Sequence, residues 1–119
     1  MITVHWTGKA VSDNAKTIKD SRGKRHNSSA YFAYRSSVAL TIREHRPGVR
    51  LEHPGLFVQF RLDAAADATN FLKGLLDGIQ DSGLVANDRD IAPVTVLPTL
   101  RRPRGHLDEA CMVFWESSR

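Results

Sequence analysis

Residues 56–90 read LFVQFRLDAAADATNFLKGLLDGIQDSGLVANDRD. The first seven alternate, with apolar side chains at Leu56, Val58, Phe60 and Leu62. That is the period of a strand with one buried face. The period then changes. From Asp67 onward, Phe71, Leu72, Leu75, Leu76 and Ile79 recur at the steps of an amphipathic helix. Asp67 begins that helix, Ser82-Gly83 ends it, and Asn87-Asp88 reads as a turn.

On the amino-terminal side, Ile2 to Trp6 alternates as a second strand. Residues 7–29 are polar and carry Lys9, Lys16, Lys19, Arg22, Lys24 and Arg25, which predicts a long loop. Long loops in compact domains usually carry function or lack order. Ser28 or Ser29 then caps a helix from Ala30 to His45, marked by Tyr34, Val38, Ile42 and His45 and stopped by Pro47-Gly48. On the carboxyl-terminal side, Val94 to Leu97 and Met112 to Trp115 read as strands. Arg101-Arg102-Pro103-Arg104-Gly105 lies between them as the tip of a hairpin. The order β-α-β-α-β-β predicts one domain over residues 1–119 of α/β (α+β) class, with two helices on one face of a small mixed sheet.

The totals agree with that picture. A chain of 119 residues, 41% of them apolar, supports one modest core. No apolar run is long enough for a signal peptide or a bilayer span, which predicts a cytoplasmic protein without membrane contact. The single cysteine, Cys111, forms no internal disulfide and sits in an apolar run, where a buried, inert thiol is expected. Net charge is +4 but unevenly spread. Residues 1–50 hold ten Lys/Arg against three Asp/Glu, whereas residues 51–100 hold three against seven. A basic first half beside an acidic middle points to a polyanionic partner and, separately, to a place where carboxylates gather.

Asp67, Asn70, Lys73 and Asp77 are spaced by three, three and four, so a helix puts them on one face, opposite the leucines. Asp88 follows in the turn, within reach of folding back. Two carboxylates about 4 Å apart repel by about 4 kcal/mol at an effective dielectric near 20, so a fold that gathers them usually binds a cation there. All-oxygen ligands favour Mg²⁺ or Mn²⁺ over zinc, and such a metal activates water and stabilises a phosphodiester in flight. Lys73 is placed to neutralise charge on the reacting phosphate. Each residue has a second reading. Asp67 is also a good helix cap, Lys73 and Asp77 also an ordinary i,i+4 pair, and Asn87-Asp88 also ordinary turn chemistry. The five histidines show no zinc-ligand spacing, and no Gly-rich phosphate loop or nucleophile elbow is present. His45 is explained by the helix dipole.

With these residues in view, the chain resembles the RusA family of Holliday junction resolvases. That family carries D-x-D-N-x-x-K-x-x-x-D, a Gly-containing turn, and D-D with a β-branched residue beyond. Here Asp67-Ala68-Thr69-Asn70, Lys73, Asp77, Gly83, Asn87-Asp88 and Ile91 fall at the corresponding steps. The likeness extends to the opening strand ending in Trp6, to Asn14 in the following loop, and to Arg22-Gly23-Lys24 ahead of the helical step Ala33-Tyr34-Arg35. It reaches the closing strand Ala110 to Glu116. Two positions depart from the pattern: Thr69 stands for the second Asp of D-x-D-N, and Asn87 for the first of the D-D pair.

The resemblance implies an α/β homodimer that cuts four-way DNA junctions by symmetric nicks with Mg²⁺, Mn²⁺ substituting, in recombination and repair. It needs no small-molecule cofactor, and such enzymes are often encoded by phages or prophages. Asp67 and Asp88 would hold the metal and act with Lys73 in catalysis, while Thr69, Asn70 and Asp77 support them. Lys19, Arg22, Lys24 and Arg25 in the first loop, with Arg101, Arg102 and Arg104 in the second, would hold phosphates, positioning DNA without reading its sequence. Two other classes stay open: a homologue that binds branched DNA without cutting because of Thr69, and a protein-interaction module with a basic patch.

Overall fold

The computed structural model describes residues 1–15, 17–19, 21–63 and 66–116. Strand β1 (Ile2–Gly8) opens the chain, and a short 3-10 turn follows at Asp13–Ala15. Two short strands, β2 (Thr17–Lys19) and β3 (Arg25–Asn27), pair antiparallel as a separate ribbon. Then come α1 (Ser29–His45), β4 (Pro54–Leu62), a 3-10 turn at Ala68–Phe71 and α2 (Leu72–Asp81). A turn at Asp88–Asp90 leads to β5 (Val94–Val96), β6 (Leu100–Arg101) and β7 (Asp108–Glu116).

The main sheet runs β1-β7-β4-β5, with β6 also on β4. β7 is antiparallel to both β1 and β4, whereas β5 and β6 run parallel to β4. Parallel neighbours need a crossover of a dozen or more residues, and the segment carrying α2 supplies it between β4 and β5. The expected α+β class with two helices and a mixed sheet is thus observed.

Two local expectations are corrected. The polar stretch after β1 is not loop throughout: Thr17–Lys19 and Arg25–Asn27 form the ribbon, reversed through Gly23 at a positive φ of 78°. Alternation was a poor guide there because a solvated two-stranded ribbon needs no apolar face. The segment 101–105 is not a hairpin tip. β5 and β6 lie on one side of β4 and β7 on the other, so the chain crosses from one flank of β4 to the other. The Arg102 amide hydrogen-bonds the Leu62 carbonyl at 2.6 Å at the start of that crossing.

The core lies between the sheet and the helices. Val4, Trp6, Leu56, Val58, Phe60, Leu62, Ala110, Met112 and Phe114 are buried on the strands, as the alternation predicts. Tyr31, Tyr34, Val38 and Ile42 cover them from α1, and Leu75 and Ile79 from α2. Ser28 caps α1 by accepting from the Tyr31 amide at 3.1 Å. The Trp6 indole donates to Ser37 Oγ at 2.9 Å, and its ring meets Tyr34 at 5.2 Å between centroids.

The two helices approach closely because α2 carries Gly74 and Gly78 on its contact side. A Cβ on Gly74 would meet the Tyr34 ring at 2.5 Å, and one on Gly78 would meet Val38 Cβ at 2.7 Å and the Arg35 carbonyl at 2.8 Å. This approach brings the polar edges of the helices within hydrogen-bonding reach. Cys111, expected buried, is only half-buried, because it falls on the outward-facing positions of β7. Among the described residues, no helix is long and apolar enough to cross a membrane.

Candidate functional site

The helix spacing and the turn after it meet where Lys73 stands. Its Nζ lies 2.9 Å from Asp88 Oδ2 and 3.1 Å from Asp77 Oδ1. Asp77 is its i+4 neighbour on α2, whereas Asp88 lies 15 residues on and folds back after the helix. The Asp88 backbone is fixed by its amide donating to Gln80 Oε1 at 2.9 Å. Asn87 caps the 88–90 turn by accepting from the Arg89 amide at 3.0 Å, so Asn at this position serves the turn itself.

Asp77 is held from the other helix as well. The Tyr31 phenol donates to Asp77 Oδ2, and Arg35 approaches the same oxygen at 3.8 Å. Arg35 grips Asp81 with two hydrogen bonds, Nε to Oδ2 at 2.7 Å and Nη2 to Oδ1 at 2.9 Å. Burial acts to raise the Asp77 carboxyl, but the hydrogen bonds from Tyr31 and Lys73 and the charges of Lys73 and Arg35 outweigh it, so Asp77 stays below the usual carboxylate value. Hydrogen bonds to Asp88 and then Asp77 raise Lys73 against its partial desolvation. Tyr31 is pushed well above the usual phenol value, by burial first and by Asp77 second. Lys73 and Asp77 therefore face each other as a charged pair at neutral pH, beside a neutral Tyr31 phenol.

Tyr31 and Asp81 were not among the residues singled out from sequence, and Arg35 entered only as the last residue of the Ala33-Tyr34-Arg35 step, with no role at this site. A signal existed, since Tyr31 and Arg35 on α1 and Asp77 and Asp81 on α2 share the same i,i+4 step. Two such ladders can pair only if the helices lie close, which the glycines permit.

Asp67 is placed differently. It caps the 3-10 turn at Ala68–Phe71, not α2 itself, which begins at Leu72. Its Oδ1 accepts from the Thr69 amide at 3.1 Å and from the Thr69 hydroxyl at 2.9 Å. The Asn70 amide donates to the Asp67 carbonyl at 3.0 Å. Asp67 makes no described contact with Lys73, Asp77 or Asp88. Tyr34 fixes this turn to α1 by donating to the Phe71 carbonyl at 2.8 Å.

Among the described residues, no three His, Cys, Asp or Glu side chains gather closely enough to hold a metal between them. The donors nevertheless suit Mg²⁺ in kind. Oδ2 of Asp67 and Oδ1 of Asp88 have no described partner. Mg²⁺ commonly takes one or two carboxylates and keeps several waters. Thr69 offers a neutral hydroxyl turned onto Asp67 where the RusA pattern has a carboxylate.

The cationic residues form two surfaces. Lys19 and Arg25 are paired across the ribbon, with Arg22 and Lys24 in its exposed turn. Arg25 donates to Thr17 Oγ1 at 3.2 Å, and Lys16 lies outside the described residues. The 13–15 turn packs against both the ribbon and the 68–71 turn, so the ribbon springs from beside Asp67. The second surface is an open cleft of about 720 Å³ lined by Asp63, Arg101, Arg102, Pro103, Arg104 and Gly105. Arg101 and Arg104 are exposed there. Arg102 is turned inward, donating to the His106 carbonyl at 3.0 Å and lying 3.5 Å from buried Asp108 and 3.7 Å from Asp63. It braces the segment.

No protein-family model matches the chain, and no curated protein sequence matches it.

Proposed function

We propose that this chain is a RusA-type, structure-specific endodeoxyribonuclease that nicks four-way or branched DNA with Mg²⁺, in recombination and repair, as a homodimer in the cytoplasm. One observation carries the reading: Lys73 lies 2.9 Å from Asp88, so the two separated halves of the motif stand together. An isolated i,i+4 ion pair on the helix and an isolated turn 15 residues on have no reason to converge.

Asp67 and Asp88 would hold the metal, with Thr69 and Asn70 shaping the turn that Asp67 begins. Mg²⁺, or Mn²⁺ in its place, supplies an activated water and a counter-charge to the phosphodiester. Lys73 presents a fixed positive charge to a phosphate oxygen, and Asp77 steadies it. Phosphates flanking the cut would lie on the ribbon cations and on Arg101 and Arg104, while Arg102 supports that surface from behind. A four-way junction has approximate two-fold symmetry, and a two-fold dimer offers it two identical sites. A second reading, a homologue that binds branched DNA without cutting, is favoured by the Thr69 hydroxyl bonded to Asp67 in place of a third carboxylate.

The test is a labelled four-way junction and a linear duplex of the same sequence, each incubated with the purified protein with and without Mg²⁺. Junction-selective binding with Mg²⁺-dependent nicks at symmetric positions supports the nuclease. Selective binding without nicks at any metal concentration supports the second reading. Equal affinity for junction and duplex, or no binding at low salt, contradicts both.

A further inference from the structure

Lys73 has two anionic seats. One is Asp88, at 2.9 Å, a carboxylate that the proposed function gives to a divalent cation. The other is Asp77, at 3.1 Å, which that function leaves without a role in metal binding. The seats differ in how firmly they are built. Asp77 has 14% of its side chain exposed and is held from α1 by the Tyr31 phenol and the Arg35 guanidinium. Asp88 sits in the turn after the helix, and its only described side-chain partner is Lys73 itself.

An ammonium at 2.9 Å from a carboxylate oxygen is a monovalent substitute for a metal. A divalent cation arriving at Asp88 must compete with it for negative charge and for space. If Lys73 had only Asp88, it would have to be displaced outright into solvent. With Asp77 beside it, it shifts to a carboxylate it already touches and remains next to the cation, where a phosphate would come.

We infer that Asp77, locked by Tyr31, is a positioning residue: it is the seat that takes Lys73 when a divalent cation claims Asp88, and it thereby sets the cation affinity of the site. This rests on the metal-dependent reading above and extends it to Tyr31, which no part of the motif contains. Two consequences have opposite sign. Removing the Lys73 ammonium frees Asp88 and tightens cation binding. Removing the Asp77 carboxylate confines Lys73 to Asp88 and weakens it. A general field effect of two opposite charges would give the same signs, but the two changes would then act independently. In the two-seat arrangement, loss of Asp77 matters only while Lys73 is present.

The experiment is Mn²⁺ titration of the full chain at fixed ionic strength, followed by the paramagnetic signal of free Mn²⁺. Thermal melts check the folding of each variant. Lys73→Met is expected to tighten Mn²⁺ binding about tenfold, which is about 1.4 kcal/mol. Asp77→Asn is expected to weaken it roughly threefold or more, with Asp77→Glu restoring it, and to have no effect in the Lys73→Met background. Tyr31→Phe changes no charge, so a field effect predicts no change, whereas loosening the Asp77 seat predicts weaker binding; it also serves if Asp77→Asn fails to fold. Independent, additive effects of Lys73→Met and Asp77→Asn, or equal Mn²⁺ binding by parent and Lys73→Met, overturn the two-seat arrangement while a metal-dependent nuclease still stands. If neither protein binds Mn²⁺ better than Asp88→Asn does, the arrangement and the metal site fall together.

Discussion

Lys73 Nζ and Asp88 Oδ2 lie 2.9 Å apart although 15 residues separate them in the chain. The contact joins the helix that follows β4 to the turn that precedes β5, across the crossover that makes those strands parallel. Its environment depends on how closely α1 and α2 pack.

That closeness is testable at Gly78, where an added Cβ would meet the Arg35 carbonyl at 2.8 Å and Val38 Cβ at 2.7 Å. Backbone cannot move aside as a flexible side chain can. Gly78→Ala should therefore destabilise the fold by roughly 1–3 kcal/mol, the usual range for overpacking, despite the better helix propensity of alanine. Chemical denaturation measures it. A variant as stable as the parent would show that the helices are not in contact there.

The strands and helices were largely legible because each has one apolar face. Alternation over Leu56 to Leu62 and the three-to-four step from Phe71 to Ile79 mark the apolar faces: Leu56, Val58, Phe60, Leu62, Leu75 and Ile79 are buried, whereas Phe71, Leu72 and Leu76 pack half-buried at the margin of the core. The ribbon at Thr17–Lys19 and Arg25–Asn27 was hidden because both its faces are solvated, so no period marks it. The parallel placing of β5 was equally hidden, since the pattern of a strand does not say which neighbour it pairs with. Within the candidate site, Lys73, Asp77 and Asp88 were legible from spacing and resemblance, whereas Tyr31 and Arg35 depend on a contact between helices that only tertiary packing creates.

Acid should weaken the fold through Asp77. Its carboxyl is held below its ordinary value in the folded protein by Tyr31, Lys73 and Arg35 acting against burial. A depressed folded value means stabilisation that is present above the unfolded value of about 3.9 and is lost as pH falls through the folded one. Melting temperature should fall as pH drops below about 4, and Asp77→Asn should start lower at neutral pH and fall less steeply. Parallel melting curves for the two proteins would remove Asp77 from the acid response.

The ribbon cations should govern the salt dependence of DNA binding. Each phosphate neutralised releases counterions, giving a slope in log affinity against log salt of about −0.9 per contact on duplex. Replacing Arg22, Lys24 and Arg25 together by Ala should flatten that slope by up to roughly 2.7. The same slope in parent and triple variant would show that the ribbon does not touch DNA.

Position 69 should set the metal requirement. The Thr69 hydroxyl is occupied with Asp67 and carries no charge, so the parent is expected to need high Mg²⁺ or to respond better to Mn²⁺. Thr69→Asp should lower the Mg²⁺ concentration for half-maximal nicking and raise the rate; tenfold in rate is only about 1.4 kcal/mol of transition-state stabilisation. A parent inactive at every metal concentration and rescued by Thr69→Asp would establish the binding-only reading. No response to Thr69→Asp in an active parent would place residue 69 outside the metal site.

The sharpest measurement is Asp88→Asn on one labelled four-way junction, with affinity and Mg²⁺-dependent nicking read from the same preparation. Removing a metal-holding carboxylate should abolish nicking, by roughly a hundredfold or more, while junction affinity stays at the parent level or tightens because negative charge is lost near phosphate. Nicking at the parent rate by Asp88→Asn would contradict the assignment of a metal-dependent site to this cluster.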